Sequence, residues 1–327
     1  MVVSSCQRHR GVHVCAFDRC DTFMTQRHIE TYIIRHDECD AYGVLSNTAY
    51  LRLAQESAWR HSIAAGFGYS YYEELNRAWV ARESSIEYIR PVTYGQELAV
   101  TTYIPSARRS IARRAFEFRL DDQLVAEARS DYVFLDIERQ APASIPSEIF
   151  EALSTAENPP ARLVREPFPD PAPAPAGAVT WKRRVEWRDV DPFGHLNNAS
   201  YLSYTQEAAI EAGLIYGVTH AKSSEAGLGW AMKRNRIEYL LPAMPDEELQ
   251  IKTWLTSLRQ ASAVRYSSIT RVSDGEQLAR AESHWLTVDL DSGKPRRLPQ
   301  WMREALAPNV SGGSGKLADE GQRQSSG

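Results

Sequence analysis

Hydrophobic and polar positions in the first half of the chain alternate between one helical stretch and several strand-like stretches. Apolar and aromatic residues that recur at intervals of three and four predict a helix over Thr48–Gly66. Gly66 and Gly68 end this helix, and Ser46 or Asn47 is its expected N-cap. Runs rich in β-branched and aromatic residues predict strands at Glu30–His36, Trp79–Arg90, Glu97–Pro105, Ile111–Leu120 and Leu124–Asp136.

The same pattern returns in the second half of the chain, which indicates a duplicated unit. Pro242 lies 151 positions after Pro91, and in the last strand the spacing becomes 153, as between Asp136 and Asp289. The two extra residues fall near the last turn, where insertions are tolerated. A period held over about 110 residues indicates duplication rather than chance. The order strand, helix, four strands predicts an α+β unit with a largely antiparallel sheet.

The most informative stretch precedes the second predicted helix. Residues Asp191–Asn198 read Asp-Pro-Phe-Gly-His-Leu-Asn-Asn, and a weaker copy at Asp40–Asn47 reads Asp-Ala-Tyr-Gly-Val-Leu-Ser-Asn. Each copy places a carboxylate, a glycine turn and a polar cap ahead of a helix. The chain therefore carries candidate chemistry at a helix N-terminus twice.

The repeat and the composition predict five segments. Residues 1–27 are expected to be disordered or a mis-assigned extension, with Met24 as an alternative start, and 308–327 to be a disordered tail. The units span 28–157 and 179–307, and the linker 158–178 carries seven prolines, which favours an extended chain. The units are expected to pair inside one chain, because one unit alone leaves a sheet edge and a face uncovered.

Composition excludes several classes of protein. A length of 327 residues with 43% hydrophobic content fits about two ordinary globular domains. A net charge of -4 gives no general attraction to nucleic acid, and no apolar run approaches the ~18–20 residues of a membrane span. The four cysteines, Cys6, Cys15, Cys20 and Cys39, match no zinc spacing and do not indicate a disulfide framework. The N-terminus lacks the apolar region of a secretory signal, and a cytoplasmic location is expected.

With these residues in place, the chain resembles the hotdog-fold thioesterases in tandem arrangement, a double hotdog. The segment Asp191–Asn198 is similar to the acyl-carrier-protein (acyl-ACP) thioesterases. The first copy and the Ile-Glu-Tyr-x-x-Pro segments at Ile86–Pro91 and Ile237–Pro242 resemble the 4-hydroxybenzoyl-CoA and short-chain acyl-CoA branch. The resemblance covers about residues 28–150 and 179–306. It implies an α+β fold in which each unit has a long central helix wrapped by an antiparallel sheet of five or six strands.

The resemblance also implies the site residues. The catalytic positions are Asp191, Asp40 and His195, and the expected substrate-binding positions are Gly43, Val44, Asn47, Gly194, Asn197 and Asn198. No metal and no cofactor are expected. The chain departs from the acyl-ACP pattern at Phe193, where that branch has asparagine, at Pro242, where it has an acidic residue, and at Val44, which replaces the histidine in the first unit.

These residue types suit thioester hydrolysis. A carboxylate can activate water or attack the carbonyl directly. Free N–H groups at a helix start, together with the helix dipole, can stabilise the developing oxyanion. The expected substrate is an acyl-CoA or acyl-ACP, and two chains can pair as a homodimer.

Two other functions compete with this prediction, and several candidate residues also have purely structural explanations. Hotdog enoyl-CoA hydratases also combine aspartate and histidine, but with a spacing of five and an intervening asparagine that this chain lacks. A non-catalytic acyl-binding double hotdog is the other alternative.

Either aspartate can be a simple turn residue, and His195 a packed histidine. The helix residues Glu56 and Glu207 are weaker candidates, and the arginines between Arg108 and Arg114 either bind CoA phosphates or a carrier protein or form a solvated hairpin.

Overall fold

The fold consists of two similar α+β units joined into one sheet. A computed structural model describes residues 27–153 and 161–312. The elements of the first unit are β1 (His28–Ile33), α1 (Asn47–Ala64), α2 (Tyr69–Glu74), β2 (Arg77–Tyr88), β3 (Glu97–Arg108), β4 (Ile111–Leu120), β5 (Gln123–Asp136), β6 (Ala141–Pro142) and α3 (Ser147–Leu153). After the short strand β7 (Ala161–Arg162), the second unit comprises β8 (Val179–Arg184), α4 (Asn198–Ile215), α5 (His220–Glu225), β9 (Leu228–Tyr239), β10 (Glu248–Leu258), β11 (Ser262–Arg271), β12 (Gln277–Asp289) and α6 (Gln300–Leu306).

The sheet order shows that the second unit repeats the first in reverse. The strands run β1-β3-β4-β5-β2-β9-β12-β11-β10-β8, with β6 beside β5 and β7 beside β3. The two halves meet where β2 and β9 pair antiparallel, with Ser85 opposite Arg236. Since these two residues are also 151 positions apart, they mark the pseudo-two-fold axis. The prediction that the units pair inside the chain is confirmed.

The two long helices lie against the sheet and against each other. Helix α1 contacts β3, α4 contacts β10, and the two helices contact one another. One cluster of buried side chains includes Leu51 and Phe118 of the first unit and Leu202 and Ile251 of the second. The units therefore share a hydrophobic core, and burying it accounts for much of the stability of their association.

The charges between the units favour pairing of unlike halves. Glu83 of β2 receives a 2.7 Å hydrogen bond from Arg236 of β9, and both side chains are buried. Two copies of the first unit paired in the same register would offer Glu83 a Ser85 in place of Arg236, and two copies of the second would oppose two Arg236 side chains. Like charges that meet in a buried interface are unfavourable, so the chain selects its own other half.

The linker forms specific contacts in addition to spanning the units. The Phe168 ring is buried, and the guanidinium carbons of Arg236 and Arg280 lie 5.0 Å and 4.8 Å from its centroid. Arg165 forms an ion pair with the buried Glu238, and the indole of Trp254 donates to the carbonyl of Ala172. The Pro-rich segment therefore packs along the sheet as an ordered part of the fold.

Replacing Phe168 by leucine is expected to lower the free energy of unfolding by about 1–2 kcal/mol. The aliphatic side chain retains most of the apolar burial but loses the aromatic face between two arginines, each contact being worth about 0.5–1 kcal/mol. Urea unfolding of the full chain measures this difference. Val164→Ala, on the exposed part of the linker, is the control and should change the free energy of unfolding by less than ~0.3 kcal/mol. An equally small change in Phe168→Leu would contradict packing of the linker on the sheet.

The chain ends differ in part from the prediction. Residues 308–312, which the sequence assigns to the tail, pack on the second unit, because Asn309 is fully buried and Val310 pairs with Leu255. The predicted disorder of 1–26 and of the rest of the tail lies outside the described residues. No helix within the described ranges combines the length and the apolar character needed to cross a lipid bilayer.

Candidate active site

Both copies of the motif fold into the same loop. A single 3-10 turn leads into the loop, at His36–Glu38 in the first unit and at Trp187–Asp189 in the second. The glycine that follows each aspartate by three residues has positive φ, +76° at Gly43 and +81° at Gly194. This conformation is accessible to glycine at little cost, which explains why the motif requires it.

Asp191 uses its two carboxylate oxygens differently. Oδ1 accepts a hydrogen bond from the backbone N–H of Phe193 at 3.0 Å, which fixes the turn. Oδ2 lies 3.4 Å from Nδ1 of His195, and the Asp191 side chain is only 10% exposed. Burial raises the pKa of the Asp191 carboxyl above its ordinary value, although His195 and the backbone N–H groups oppose this shift. One oxygen is therefore structural, and the other faces the predicted histidine.

Asp40 has the turn but not the histidine. Its Oδ1 accepts from the N–H of Tyr42 at 2.9 Å and lies 3.4 Å from the N–H of Val44. Val44 occupies the position of His195, and its backbone forms a bridge with Thr93. The first loop thus retains the local fold, and within residues 27–153 and 161–312 no side chain pairs with the second carboxylate oxygen of Asp40.

The helix start in the second unit has a side-chain cap and an unpaired amide. The N-cap residue Asn197 accepts a hydrogen bond from the N–H of Ala199 at 2.9 Å. Within the described part of the chain, the N–H of Asn198 has no acceptor. The hydroxyl of Tyr239 donates to the carbonyl of Asn198 at 3.0 Å and fixes the position of this turn. A first-turn N–H without an acceptor is the group that an oxyanion needs.

The first unit repeats this anchoring with different side chains. The N-cap Ser46 forms no side-chain cap bond, the hydroxyl of Tyr88 donates to the carbonyl of Asn47 at 3.1 Å, and the Asn47 amide lies 3.5 Å from Gln206 of α4. The last contact joins one helix start to the helix of the other unit.

Each motif loop packs on the opposite unit. The Phe193 ring stacks on Trp59 of α1, with centroids 6.0 Å apart and an interplanar angle of 14°, and lies 6.0 Å from Tyr69 of α2. On its other side, Phe193 stacks on His195. In the symmetry-related loop, Tyr42 contacts His220 of α5. The Asp191 loop, Trp59 and Tyr69 therefore lie together in one candidate site, which is called the composite site below.

Sequence reasoning missed Trp59 and Tyr69, because they lie far from the motif along the chain. The only signal is the repeat, since Tyr69 and His220 are 151 positions apart and Tyr42 and Phe193 are too. The helix carboxylate of Glu56 is paired with Arg60 in solvent, which gives it no place in the composite site.

The arginine-rich hairpin does not form one surface patch. Arg108 and Arg109 are exposed, but Arg113 forms a bidentate pair with Asp131, and Arg114 is buried. No group of three or more histidine, cysteine or acidic side chains within the described ranges has the geometry to hold a metal ion.

Comparison with known families identifies the repeated unit. A sequence model of the thioesterase-like superfamily matches residues 34–153 and, a second time, residues 185–306. The chain belongs to the thioesterase-like superfamily. The tandem hotdog thioesterase resemblance predicted from the sequence is thereby confirmed.

Individual relatives of this thioesterase-like chain agree with that assignment. The acyl-CoA thioester hydrolase YbgC of Escherichia coli is 29% identical over 120 residues, which is 37% of this chain and 89% of the relative. An acyl-ACP thioesterase from Bacteroides thetaiotaomicron superposes with a TM-score of 0.61 at 15% identity, over 80% of this chain and 98% of the other. The 12:0-ACP thioesterase of Umbellularia californica gives 0.61 at 18% identity, over 80% and 94%. The two structures show that the tandem hotdog-like fold with its large antiparallel sheet is shared.

Proposed function

We propose that the protein is an acyl thioesterase that hydrolyses an acyl-CoA or acyl-ACP thioester to the free acid and thiol. The observation that supports this most directly is the Asp191 loop, in which a mostly buried carboxylate lies beside His195 and shortly before a helix amide that has no acceptor among the described residues. In a chain of the thioesterase-like superfamily, this combination supplies both groups that the reaction needs.

In the proposed mechanism, Asp191 acts in its ionised form through Oδ2. It either removes a proton from the attacking water, whose addition expels the thiolate, or attacks the carbonyl carbon itself and expels the thiolate to form a mixed anhydride that water then hydrolyses; Oδ1 stays bonded to the turn. The amide of Asn198 donates to the carbonyl oxygen as negative charge develops there. His195 orients Asp191 or the thioester. The acyl group lies between the Asp191 loop and the first unit, beside Phe193 and Trp59, and each long helix is the central helix of its hotdog unit.

The two halves are proposed to contribute unequally. The second-unit loop carries His195 and meets the aromatic side chains of α1 and α2, whereas the first-unit loop has Val44 in place of the histidine. The Asp191 site therefore supplies most of the activity. The Asp40 loop, with Gly43 and Asn47, supports a weaker second site.

On the acid side of the pH profile, kcat/KM is expected to fall at a higher pH than it would with an unperturbed aspartate. Burial raises the pKa of the Asp191 carboxyl, and the ionised form reacts, so kcat/KM falls as the pH is lowered through this raised pKa. The sign for stability is the opposite, because a raised folded-state pKa favours folding at low pH and this contribution is lost as the pH rises through it. A pH series of kcat/KM checks the limb. An inflection at or below the ordinary aspartate pKa of about 3.9 would contradict it.

A pair of assays separates the proposed function from its alternatives. Release of free thiol from a panel of acyl-CoA chain lengths and acyl-ACPs is measured with a thiol reagent, beside the absorbance of crotonyl-CoA. A thioesterase releases thiol. A hydratase consumes the crotonyl double bond without thiol release, and an acyl-binding module does neither. A cytoplasmic location and the pairing of two chains remain predictions, and gel filtration measures the second.

A further inference from the structure

The outer face of the first unit carries an open groove, which extends across β3, β4, β5 and β2 to β9 and has a volume of about 370 Å³. Among the residues that line this outer groove are Glu87, Tyr103, Glu117, Glu127 and Arg234. The three glutamates alternate along their strands with buried side chains of the shared core. Since successive side chains of a strand point to opposite faces, the groove lies on the face of the sheet turned away from that core.

In the second unit, the chain itself fills the equivalent groove. The Phe168 ring of the linker is 4% exposed and is surrounded by Arg236, Trp254, Tyr266 and Arg280. The repeat spacing of 151, which becomes 153 in the last strand, gives their counterparts in the first unit as Ser85, Tyr103, Ala115 and Glu127. All four counterparts line the outer groove. The two grooves are therefore equivalent surfaces, and the linker occupies one of them.

The stretch before β1 is the counterpart of the linker. Strand β1 begins at His28 and β8 begins at Val179, and these residues are 151 positions apart. Linker residues 165–178 therefore correspond to residues 14–27. Residues 14–26 lie outside the described ranges, so Arg27 shows where this stretch meets the sheet.

Arg27 contacts the outer groove directly. Its guanidinium carbon lies 4.2 Å from the centroid of the Tyr103 ring, and its Nη1 lies 3.1 Å from Oε1 of Glu117. Its counterpart Ala178 packs against the cluster that contains Phe168. The stretch before β1 and the linker thus meet the two grooves at equivalent positions.

Strand pairing directs this stretch away from the edge of the sheet. Strand β1 pairs with β3 as far as His28, which lies opposite Thr102. Further along the same edge, β7 pairs with Ser106 and Ala107 of β3. Only positions 103–105 of β3 lie between these two partners, so the chain before Arg27 has to leave the edge and cross a face of the sheet.

The stretch before β1 carries a phenylalanine at the position of the linker's anchor. Phe17 lies 151 positions before Phe168, and both rings are ten residues ahead of the point where the chain meets its groove, at Arg27 and at Ala178. The length of chain therefore allows Phe17 to reach the place beside Tyr103 that corresponds to the place of Phe168.

A charge of the stretch also matches the outer groove. Asp170 of the linker lies 3.5 Å from Arg280 in the second unit. The counterpart of Asp170 is Arg19, and the counterpart of Arg280 is Glu127. Both charges are exchanged between the units, so the attraction between the two positions is retained.

Glu127 lies in a row of like charges. It is opposite Glu87 of β2 on one side and opposite Glu117 of β4 on the other. Like charges directly opposite each other on neighbouring strands are destabilising. Arg27 pairs with Glu117 and Arg234 lies 3.9 Å from Glu87, but no cation among the described residues pairs with Glu127. An arginine placed over the middle of the row would offset this repulsion.

We propose that residues 14–26 dock in the outer groove, with the Phe17 ring beside Tyr103 and the Arg19 guanidinium at Glu127. The docked stretch mirrors the linker of the second unit and does not depend on the proposed thioesterase function. Because the stretch is tethered at Arg27, its effective concentration at the groove is about millimolar, and weak contacts suffice. It lacks the prolines of the linker, so it loses more backbone entropy on docking and docks less firmly.

Chymotrypsin cleavage after Phe17 measures docking in the folded, full-length chain. The rate is followed by mass spectrometry and divided by the rate for a free peptide of residues 8–27 that carries the same substitution, which removes the protease's own sequence preference. Docking is expected to slow cleavage of the wild type at least about 10-fold relative to the peptide, because the protease cuts only the undocked population.

An exchange of charges tests the pair of Arg19 and Glu127. Glu127→Arg and Arg19→Glu are each expected to raise the relative cleavage rate about 3- to 10-fold, since each replaces an attraction by a repulsion. The two substitutions together are expected to restore a rate within about two-fold of the wild type, because the pair couples the two sites. Glu151→Arg, on the exposed surface of α3 outside the groove, is the control and should leave the rate unchanged.

Three results would overturn the inference. Wild-type cleavage at the rate of the free peptide would show that the stretch does not occupy the groove, whatever else binds there. The same conclusion follows if the double variant is no better protected than the single variants. Protection that increases with protein concentration would place the stretch on a second copy of the chain and contradict docking within one chain.

Discussion

Replacement of Asp191 by asparagine is expected to lower kcat/KM for thioester hydrolysis about 10²- to 10⁴-fold, the range typical of losing a positioned base. Asparagine retains an oxygen that can accept from the N–H of Phe193, so the turn persists while the ionisable oxygen beside His195 is lost. Thiol release from an acyl-CoA that the wild type hydrolyses measures the effect.

Asp40→Asn is the matched control for this variant. The same turn occurs in the first unit, with Val44 in place of the histidine, so a reduction of only a few-fold is expected there. Removing the Asp191 charge should not lower the unfolding temperature, since burial already disfavours the ionised form. Thiol release that stayed at the wild-type rate in Asp191→Asn would remove this residue from the mechanism.

Replacement of Arg236 by methionine is expected to lower the free energy of unfolding by about 3–5 kcal/mol, the typical cost of breaking a buried ion pair. Glu83 would remain buried between the units without its 2.7 Å partner, and Arg165 at 4.0 Å compensates it only in part. The variant also loses the hydrogen bond to the carbonyl of Glu166 and the contact with Phe168. Urea unfolding measures the loss.

Two controls separate the buried pair from surface charge effects. The double replacement of Glu83 and Arg236 by methionine should recover much of the stability, because neither charge is left unpaired. Arg188→Met, which breaks the solvent-exposed pair with Glu186, should cost no more than about 0.5 kcal/mol. A loss below ~1 kcal/mol in Arg236→Met would show that the pair does not stabilise the contact between units.

Long elements were predictable because their patterns extend over many residues. The helix predicted at Thr48–Gly66 is observed at Asn47–Ala64, and the strand predicted at Ile111–Leu120 has the same bounds in the structure. The short helices α2, α3, α5 and α6 were missed, since six or seven residues are too few to establish a 3.6-residue period.

The candidate site was predictable only where its residues are neighbours along the chain. Asp191 and His195 are four residues apart, and a glycine turn brings their side chains to 3.4 Å. Trp59 and Tyr69 reach the same site only after the units have paired. The interpretation of the arginine-rich hairpin as one feature was wrong for Arg114, because alternation along β4 directs this residue into the interior while Arg113 pairs with Asp131.

The sequence by itself determined the duplication, the order of elements in each unit and the two carboxylate turns, because residue spacing and the repeat are sufficient to recognise all three. The tertiary structure decided that the Asp191 loop packs on aromatic side chains of the opposite unit, and that β2 and β9 join the two units into one sheet. Both results depend on contacts between segments far apart in the chain, and such contacts are fixed by packing and burial rather than by local pattern.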